Sequence, residues 1–489
     1  MRRFLSPVAL TLTVLAGPAC AADPNPKPVA PHPCKIEGVE GDVRCATLPV
    51  WENRQTKKGR KIPINVVILP ALTADKLPDP IFYLAGGPGE GAATTAEGWA
   101  KAKDLRARRD VVLIDQRGTG GSNPLDCRMF GDPVDLKLLA SRFLEREAVE
   151  RCRQELEKHA DLTQYNTEYS ADDFDEVRAW LGYAKINLFG GSYGTTSSQV
   201  YLRRHPGSVR TVVLDGVAPV DEPIPLHHAA AGQRAADLLF AECAADAACH
   251  AAFPNPGAEL KEVMARVDQG VEVEVLDPRT KQKVKVRPNR GVVADGIRLF
   301  LYGAEEDGKN SLPLRVHQAF LGDYRPLVEA ALKSRLGIEQ ALEFGMWLSL
   351  TCTEDILRID PAIAARDTAN TYLGDYRVRT QTEACKVWPK GQVSAHYWDP
   401  VRSDLPVLMI SGERDPVTPP AFGERVAQGF PNGLHLIQPH GGHGADNDCI
   451  NGITMEFLNR ASAKGLDTSC LAKSEPAKFS LALPAETSK

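Results

Sequence analysis

One serine in this chain of 489 residues stands where its hydroxyl could serve as a nucleophile: Ser192, in Gly190-Gly191-Ser192-Tyr193-Gly194. The pentapeptide follows the apolar run Ile186 to Phe189 and precedes a helical stretch from Thr195 to His205. That context predicts a sharp strand-to-helix turn with the serine at its strained apex, and Gly190 and Gly194 leave room for neighbouring chain. The start of the helix adds positive partial charge beneath the hydroxyl.

A serine hydroxyl is a weak nucleophile at neutral pH. It needs an imidazole to take its proton and a carboxylate to hold that imidazole's tautomer. His443, in His440-Gly441-Gly442-His443-Gly444, follows the apolar run Leu434 to Ile437, and Asp415 lies in the loop after Val407 to Ile410. The chain order serine, acid, histidine makes Asp415 the expected acid and His443 the expected base. Asp215, after Val212-Val213-Leu214, is the alternative acid, Glu413 a weaker one, and His440 the alternative base. Acyl transfer also needs donors for a developing oxyanion. Ala85-Gly86-Gly87-Pro88-Gly89 follows the run Ile81 to Leu84, so the N–H groups of Gly87 and Tyr193 are the expected oxyanion hole, Pro88 having no N–H to give.

These groups are far apart in sequence, and a sheet must bring them together. Pro80 to Leu84, Val111 to Ile114, Ile186 to Phe189 and Val212 to Leu214 are short apolar runs ending in Gly or Asp, the pattern of parallel strands covered on both faces. Ile62 to Leu72 predicts an earlier strand, and helical stretches at Ala171 to Leu181 and Thr195 to His205 predict β-α-β crossovers. After Pro219 this rhythm stops, giving way to Ala-rich helical sequence and a hairpin near Val271 to Val286, and it resumes at Pro406. The expected architecture is an α/β-hydrolase fold: a mostly parallel sheet with helices on both faces and a large, mainly helical inserted cap. The boundaries read as a signal peptide 1–21, a Pro-rich N-terminal segment 22–48, core 49–220 and 404–470, cap 221–403, and a polar tail 471–489.

Composition excludes some classes. With 43% hydrophobic residues, 25% charged residues and a formal charge of -5, the chain lacks the basic excess that nucleic acid demands. Met1-Arg2-Arg3 and the apolar stretch Phe4 to Ala16 are too short for a permanent membrane helix and read as a secretory signal, cleaved after Ala21. Lipidation at Cys20 is the rival reading, weakened by Gly17-Pro18-Ala19 before it. Export to periplasm or medium fits the ten remaining cysteines, Cys34, Cys45, Cys127, Cys152, Cys243, Cys249, Cys352, Cys385, Cys449 and Cys470. Pairing of sequence neighbours is expected, although spacing alone does not fix connectivity. None has C-x-x-C spacing, so a structural role rather than a metal or redox one is expected for them, and no cofactor is expected.

Three segments, Ala85-Gly86-Gly87-Pro88-Gly89, Asp115-Gln116-Arg117-Gly118-Thr119-Gly120-Gly121-Ser122 and Gly190 to Gly194, together resemble the prolyl and tripeptidyl aminopeptidase group of α/β-hydrolases. The stretch with Asp415, His443 and Cys449 resembles its exported tripeptidyl branch. Ala85 departs from the cytoplasmic prolyl enzymes, which usually carry His there. The resemblance implies cleavage of peptides near a free N-terminus through an acyl-enzyme on Ser192, with ester hydrolysis as the second expectation. Glu354 and Asp355, in a segment similar to the Cys-x-Glu-Asp of exported relatives, become the candidate anchor for the substrate ammonium. Asp115 and Arg117 are expected to form a buried, paired turn that braces the site.

Overall fold

The computed structural model describes residues 27–303, 309–444 and 447–482. The expected signal peptide and Cys20 lie outside the described residues. A nine-stranded sheet runs through the molecule: β1 (Val29–Pro33), β2 (Arg44–Trp51), β3 (Lys61–Leu69), β4 (Ile81–Leu84), β5 (Val111–Ile114), β6 (Ile186–Gly191), β7 (Val209–Asp215), β10 (Val407–Gly412) and β11 (Gly433–Gln438). Their spatial order is β1-β2-β3-β5-β4-β6-β7-β10-β11. From β5 to β11 every pairing is parallel, whereas β1, β2 and β3 add an antiparallel edge. Between β7 and β10 lies a helical insert with one antiparallel hairpin, β8 (Val273–Leu276) and β9 (Lys283–Val286).

The central strands are largely apolar because helices cover both faces. All four residues of β5 and all six of β10 are buried. One apolar cluster contains Val66, Phe82, Val112, Leu188 and Leu214, and another on the opposite face contains Leu69, Leu113, Val213, Leu408 and Phe457. The insert has a core of its own built from Leu239, Val263, Met264, Val293 and Ile297.

Two boundaries are corrected. The sheet does not start at 49: β1 and β2 already belong to it, joined by the Cys34–Cys45 disulfide. The prolines of β1 conceal it as a strand, yet an exposed edge tolerates residues that cannot complete a hydrogen-bond ladder. Nor does residue 471 mark a break as far as the chain is described: the polar tail expected from 471 packs on the insert. Asn310 of the insert donates its backbone N–H to Lys478 and accepts from Ser480, at 2.8 and 3.0 Å, and Phe479 packs against the insert's core. The remaining disulfides are Cys127–Cys152, Cys243–Cys249, Cys352–Cys385 and Cys449–Cys470, each between sequence neighbours. Among the described residues no helix is long and apolar enough to cross a membrane.

Candidate active site

Ser192 sits between β6 and the helix Tyr193–Arg204 with φ of 54°, a left-handed conformation that side chains rarely adopt. Two glycines make that turn possible. A Cβ on Gly194 would lie 1.9 Å from the carbonyl oxygen of Leu84, and one on Gly190 would lie 2.3 Å from that of Gly194. The turn is pinned by the Ser192 N–H donating to Asp215 at 2.8 Å and by the Thr195 N–H donating to the Ser192 carbonyl at 2.9 Å.

His443 arrives on the loop after β11 and Asp415 on the loop after β10, both beyond the carboxyl ends of parallel strands. His443 Nε2 lies 2.9 Å from Ser192 Oγ, and Nδ1 lies 2.7 Å from Asp415 Oδ2. The carboxylate is itself fixed: the N–H groups of Val417 and Thr418 donate to Oδ1 at 2.8 Å each, and the Thr418 hydroxyl donates to Oδ2 at 2.7 Å. The His443 ring rests 4.7 Å from the ring of Tyr302, whose carbonyl accepts the His443 N–H at 2.7 Å. Burial by itself would depress the imidazole pKa. The charge and hydrogen bond of Asp415 outweigh it, and the net shift is upward from 6.5. The alternatives are placed otherwise: His440 pairs with Glu242 at 3.0 Å, and Asp215 is not the carboxylate bonded to Nδ1.

The loop after β4 brings Gly86 against the elbow, where an added Cβ would stand 3.2 Å from Ser192 Cβ. Among the described residues, no acceptor within the chain engages the N–H of Gly87 or of Tyr193. The loop is held from the insert side by the Glu343 N–H, which donates to the Gly89 carbonyl at 2.9 Å. Below the site, Gln116 donates to the Tyr193 hydroxyl at 3.0 Å. Asp115 and Arg117 do brace this region, but not as a pair. Asp115 accepts from Asn65, Ala93 and Gly121, while Arg117 is clamped on Asp173 at 2.6 and 2.9 Å.

The ammonium anchor expected at Glu354 and Asp355 is corrected. Glu354 is 3% exposed, and its oxygens accept from the Thr167 N–H, the Thr167 hydroxyl and the Tyr397 hydroxyl. Thr167 in turn contacts the Tyr193 hydroxyl at 2.7 Å, so Glu354 supports the elbow from behind. Burial pushes its carboxyl up to about 7 and pushes that of Asp355 up too. Neither residue lines the cavity of about 360 Å³ that opens over Ser192 and His443. The carboxylates that do are Glu90, Asp215, Asp295 and Glu339, accompanied by Arg298, Arg335 and Arg377. Sequence reading missed all of the insert's charged residues here, because they come one or two per helix from separate helices and form no motif.

Fold and site together define a class: an α/β-hydrolase with serine, histidine and aspartate assembled at the carboxyl edge of its sheet. Family profiles agree. One described as "alpha/beta hydrolase fold" matches residues 79–247, and one described as "TAP-like protein" matches residues 370–470. The chain is similar to the tripeptidyl aminopeptidase of Streptomyces coelicolor, 27% identical over 94% of this chain and 86% of that protein. It is 30% identical to the serine protease Hip1 of Mycobacterium tuberculosis over 59% of this chain, and the match spans only 59% of that protein's length. Among solved structures it is similar to a proline iminopeptidase of Mycobacterium smegmatis, 16% identical, with a TM-score of 0.40, covering 85% of this chain and 98% of that one.

Proposed function

We propose that the protein is an exported serine peptidase that cleaves peptides near a free N-terminus. The observation that carries this reading is the hydrogen-bonded line Ser192–His443–Asp415, facing a cavity beside two N–H groups with no internal acceptor. In the first step Ser192 Oγ attacks the scissile carbonyl while His443 Nε2 takes its proton, and Asp415 steadies the imidazolium. The tetrahedral oxyanion is met by the N–H groups of Gly87 and Tyr193, each of a kind worth ~3 kcal/mol in such sites. His443 then passes its proton to the leaving amine, leaving an acyl group on Ser192. Water, deprotonated by His443, attacks that acyl group and regenerates the serine.

The ammonium anchor is reassigned to Glu339 and Glu90. Both line the cavity, and Glu339 has a buried oxygen, Oε2, without a hydrogen-bond partner. Burial pushes the Glu339 carboxyl up to about 8 and raises that of Glu90, which marks places where a cation would be welcome. Five disulfides support residence outside the reducing cytoplasm.

Tripeptidyl chromogenic amides, each with a free or an acetylated N-terminus, test the reading. The expected result is a preference of at least ~10-fold in kcat/KM for the free amine, largely lost in Glu339→Gln. Equal cleavage of both forms by the wild-type enzyme removes the free-N-terminus requirement, and ester hydrolysis with no amide cleavage replaces the peptidase by an esterase.

A further inference from the structure

Three guanidinium groups meet on the insert side of the cavity that Ser192 and His443 also line. Arg298 comes from the helix Arg290–Phe300, Arg335 from Arg325–Ala341 and Arg377 from Tyr376–Val387. They are 3%, 5% and 9% exposed, and they converge on one carboxylate, Asp295, itself 2% exposed. Arg298 Nε donates to Asp295 Oδ1 at 3.0 Å, Arg377 Nη1 reaches both oxygens at 3.1 Å, and Arg335 Nη1 lies 3.6 Å from Oδ2. One negative charge thus answers three positive ones, in a place where uncompensated charge is costly.

Their hydrogen bonding is incomplete as well. Beyond Asp295, Arg298 reaches the Tyr302 hydroxyl at 3.2 Å, Arg377 reaches Gln381 at 3.2 Å, and Arg335 reaches the Arg142 carbonyl at 3.3 Å. Among the described residues, Arg335 Nε is buried with no partner, and Nη2 of Arg298 and of Arg377 has no acceptor within the chain. Aromatic faces hold the guanidiniums in place: Arg335 and Arg377 each lie 5.1 Å from the centre of the Phe143 ring. A ring accepts little from an N–H, so the donors stay available.

Neighbouring groups do not restore the balance. Glu339, one turn along the helix from Arg335, has an unpartnered buried oxygen, and burial pushes its carboxyl up to about 8, outweighing the downward pull of the Arg335 charge. His228, also on the cavity wall, is kept neutral by its burial and then by the positive charge of Arg298 and Arg377. The cluster is close to the chemistry, since Tyr302 accepts from Arg298 and packs on the ring of His443.

We propose that Arg298, Arg335 and Arg377 form a receptor for a carboxylate of the substrate, so that the enzyme prefers substrates carrying a negative charge inside the cavity. A planar carboxylate matches the fork of N–H donors that a guanidinium presents, and its charge would offset the excess around Asp295. Two sources offer that group: an acidic side chain in the peptide, or the terminal carboxylate of a short peptide whose far end also enters the cavity. The peptide sources rest on the peptidase reading; the receptor itself requires only a hydrolase.

The test compares matched pairs. The p-nitrophenyl monoester of glutarate is set against p-nitrophenyl valerate, tripeptidyl p-nitroanilides with Glu at one position against the same amides with Gln, and free tripeptides against their C-terminal amides. The wild-type enzyme is expected to favour the anionic member by about 10- to 100-fold in kcat/KM in the ester pair and in one peptide pair. In Arg335→Gln and Arg377→Gln that ratio should fall towards one. The peptide pair that responds identifies the source. A receptor preference in the esters without any amide cleavage would end the peptidase reading and keep the receptor. No anionic preference in any wild-type pair, which needs no variant to fold, overturns the proposal, as does a ratio unmoved in both variants.

Discussion

Asp415 works through two bonds of unequal consequence. Its hydrogen bond to Nδ1 of His443 sets which ring nitrogen faces Ser192, and its charge raises the imidazole pKa above 6.5 against the opposing effect of burial. The base acts only when neutral, so kcat/KM should climb with pH through a midpoint above 6.5 and level off beyond it. In Asp415→Asn the carboxylate charge is gone and burial remains, so the midpoint should move down, with kcat reduced by roughly 10³- to 10⁴-fold. A pH profile of both forms checks this; a midpoint that stays in place would mean another group titrates. The triad was legible from sequence because each member follows an apolar run and the order serine, acid, histidine limits the choices. The same reading misplaced Glu354, since a carboxylate beside a cysteine looks identical whether it faces a ligand or a buried threonine.

At the scale of elements, the elbow depends on neighbours that contribute nothing to the chemistry. Glu354 ends the helix Phe344–Glu354 and ties it to Thr167, the first residue of the helix Thr167–Trp180, and to Tyr397. Burial lifts its carboxyl from 4.5 to about 7. A raised carboxyl pKa favours the folded state most below the unfolded value, and that contribution is lost as pH rises through the folded value. Wild-type stability should therefore fall between about pH 4.5 and 7 by on the order of 3 kcal/mol from this group. Glu354→Gln, which keeps the shape, should flatten that slope in urea unfolding followed across this range, while an unchanged slope would mean that Glu354 is ionised throughout. Sequence reading found the strands of the parallel half because most are short, largely apolar runs, as strands covered on both faces are. It missed β1, whose five residues are all exposed and carry prolines. It also missed Glu339 and the arginines of the cavity. Arg298 does leave a trace, as a charge three residues from Asp295 on a helix whose other residues after Arg290 are apolar or glycine, the spacing at which two side chains meet.

For the molecule as a whole, the sheet supplies the reacting groups and the insert supplies the walls. The two are tied where they meet: Glu343 holds the Gly89 loop, Tyr302 backs His443, and Cys352–Cys385 joins two helices whose other residues, Trp347 and Arg377, line the cavity. Residues 471–482 close over the far side of the insert at Asn310, so the chain's last described segment belongs to the same body. Everything proposed for substrates presupposes that Ser192 is the nucleophile of this assembly. The direct measurement is covalent labelling with a fluorophosphonate, followed by mass mapping of the modified peptide. The wild-type protein should carry one adduct, on Ser192, absent in Ser192→Ala and formed at least ~10³-fold more slowly in His443→Ala. An adduct on any other residue, or undiminished labelling in Ser192→Ala, would contradict it.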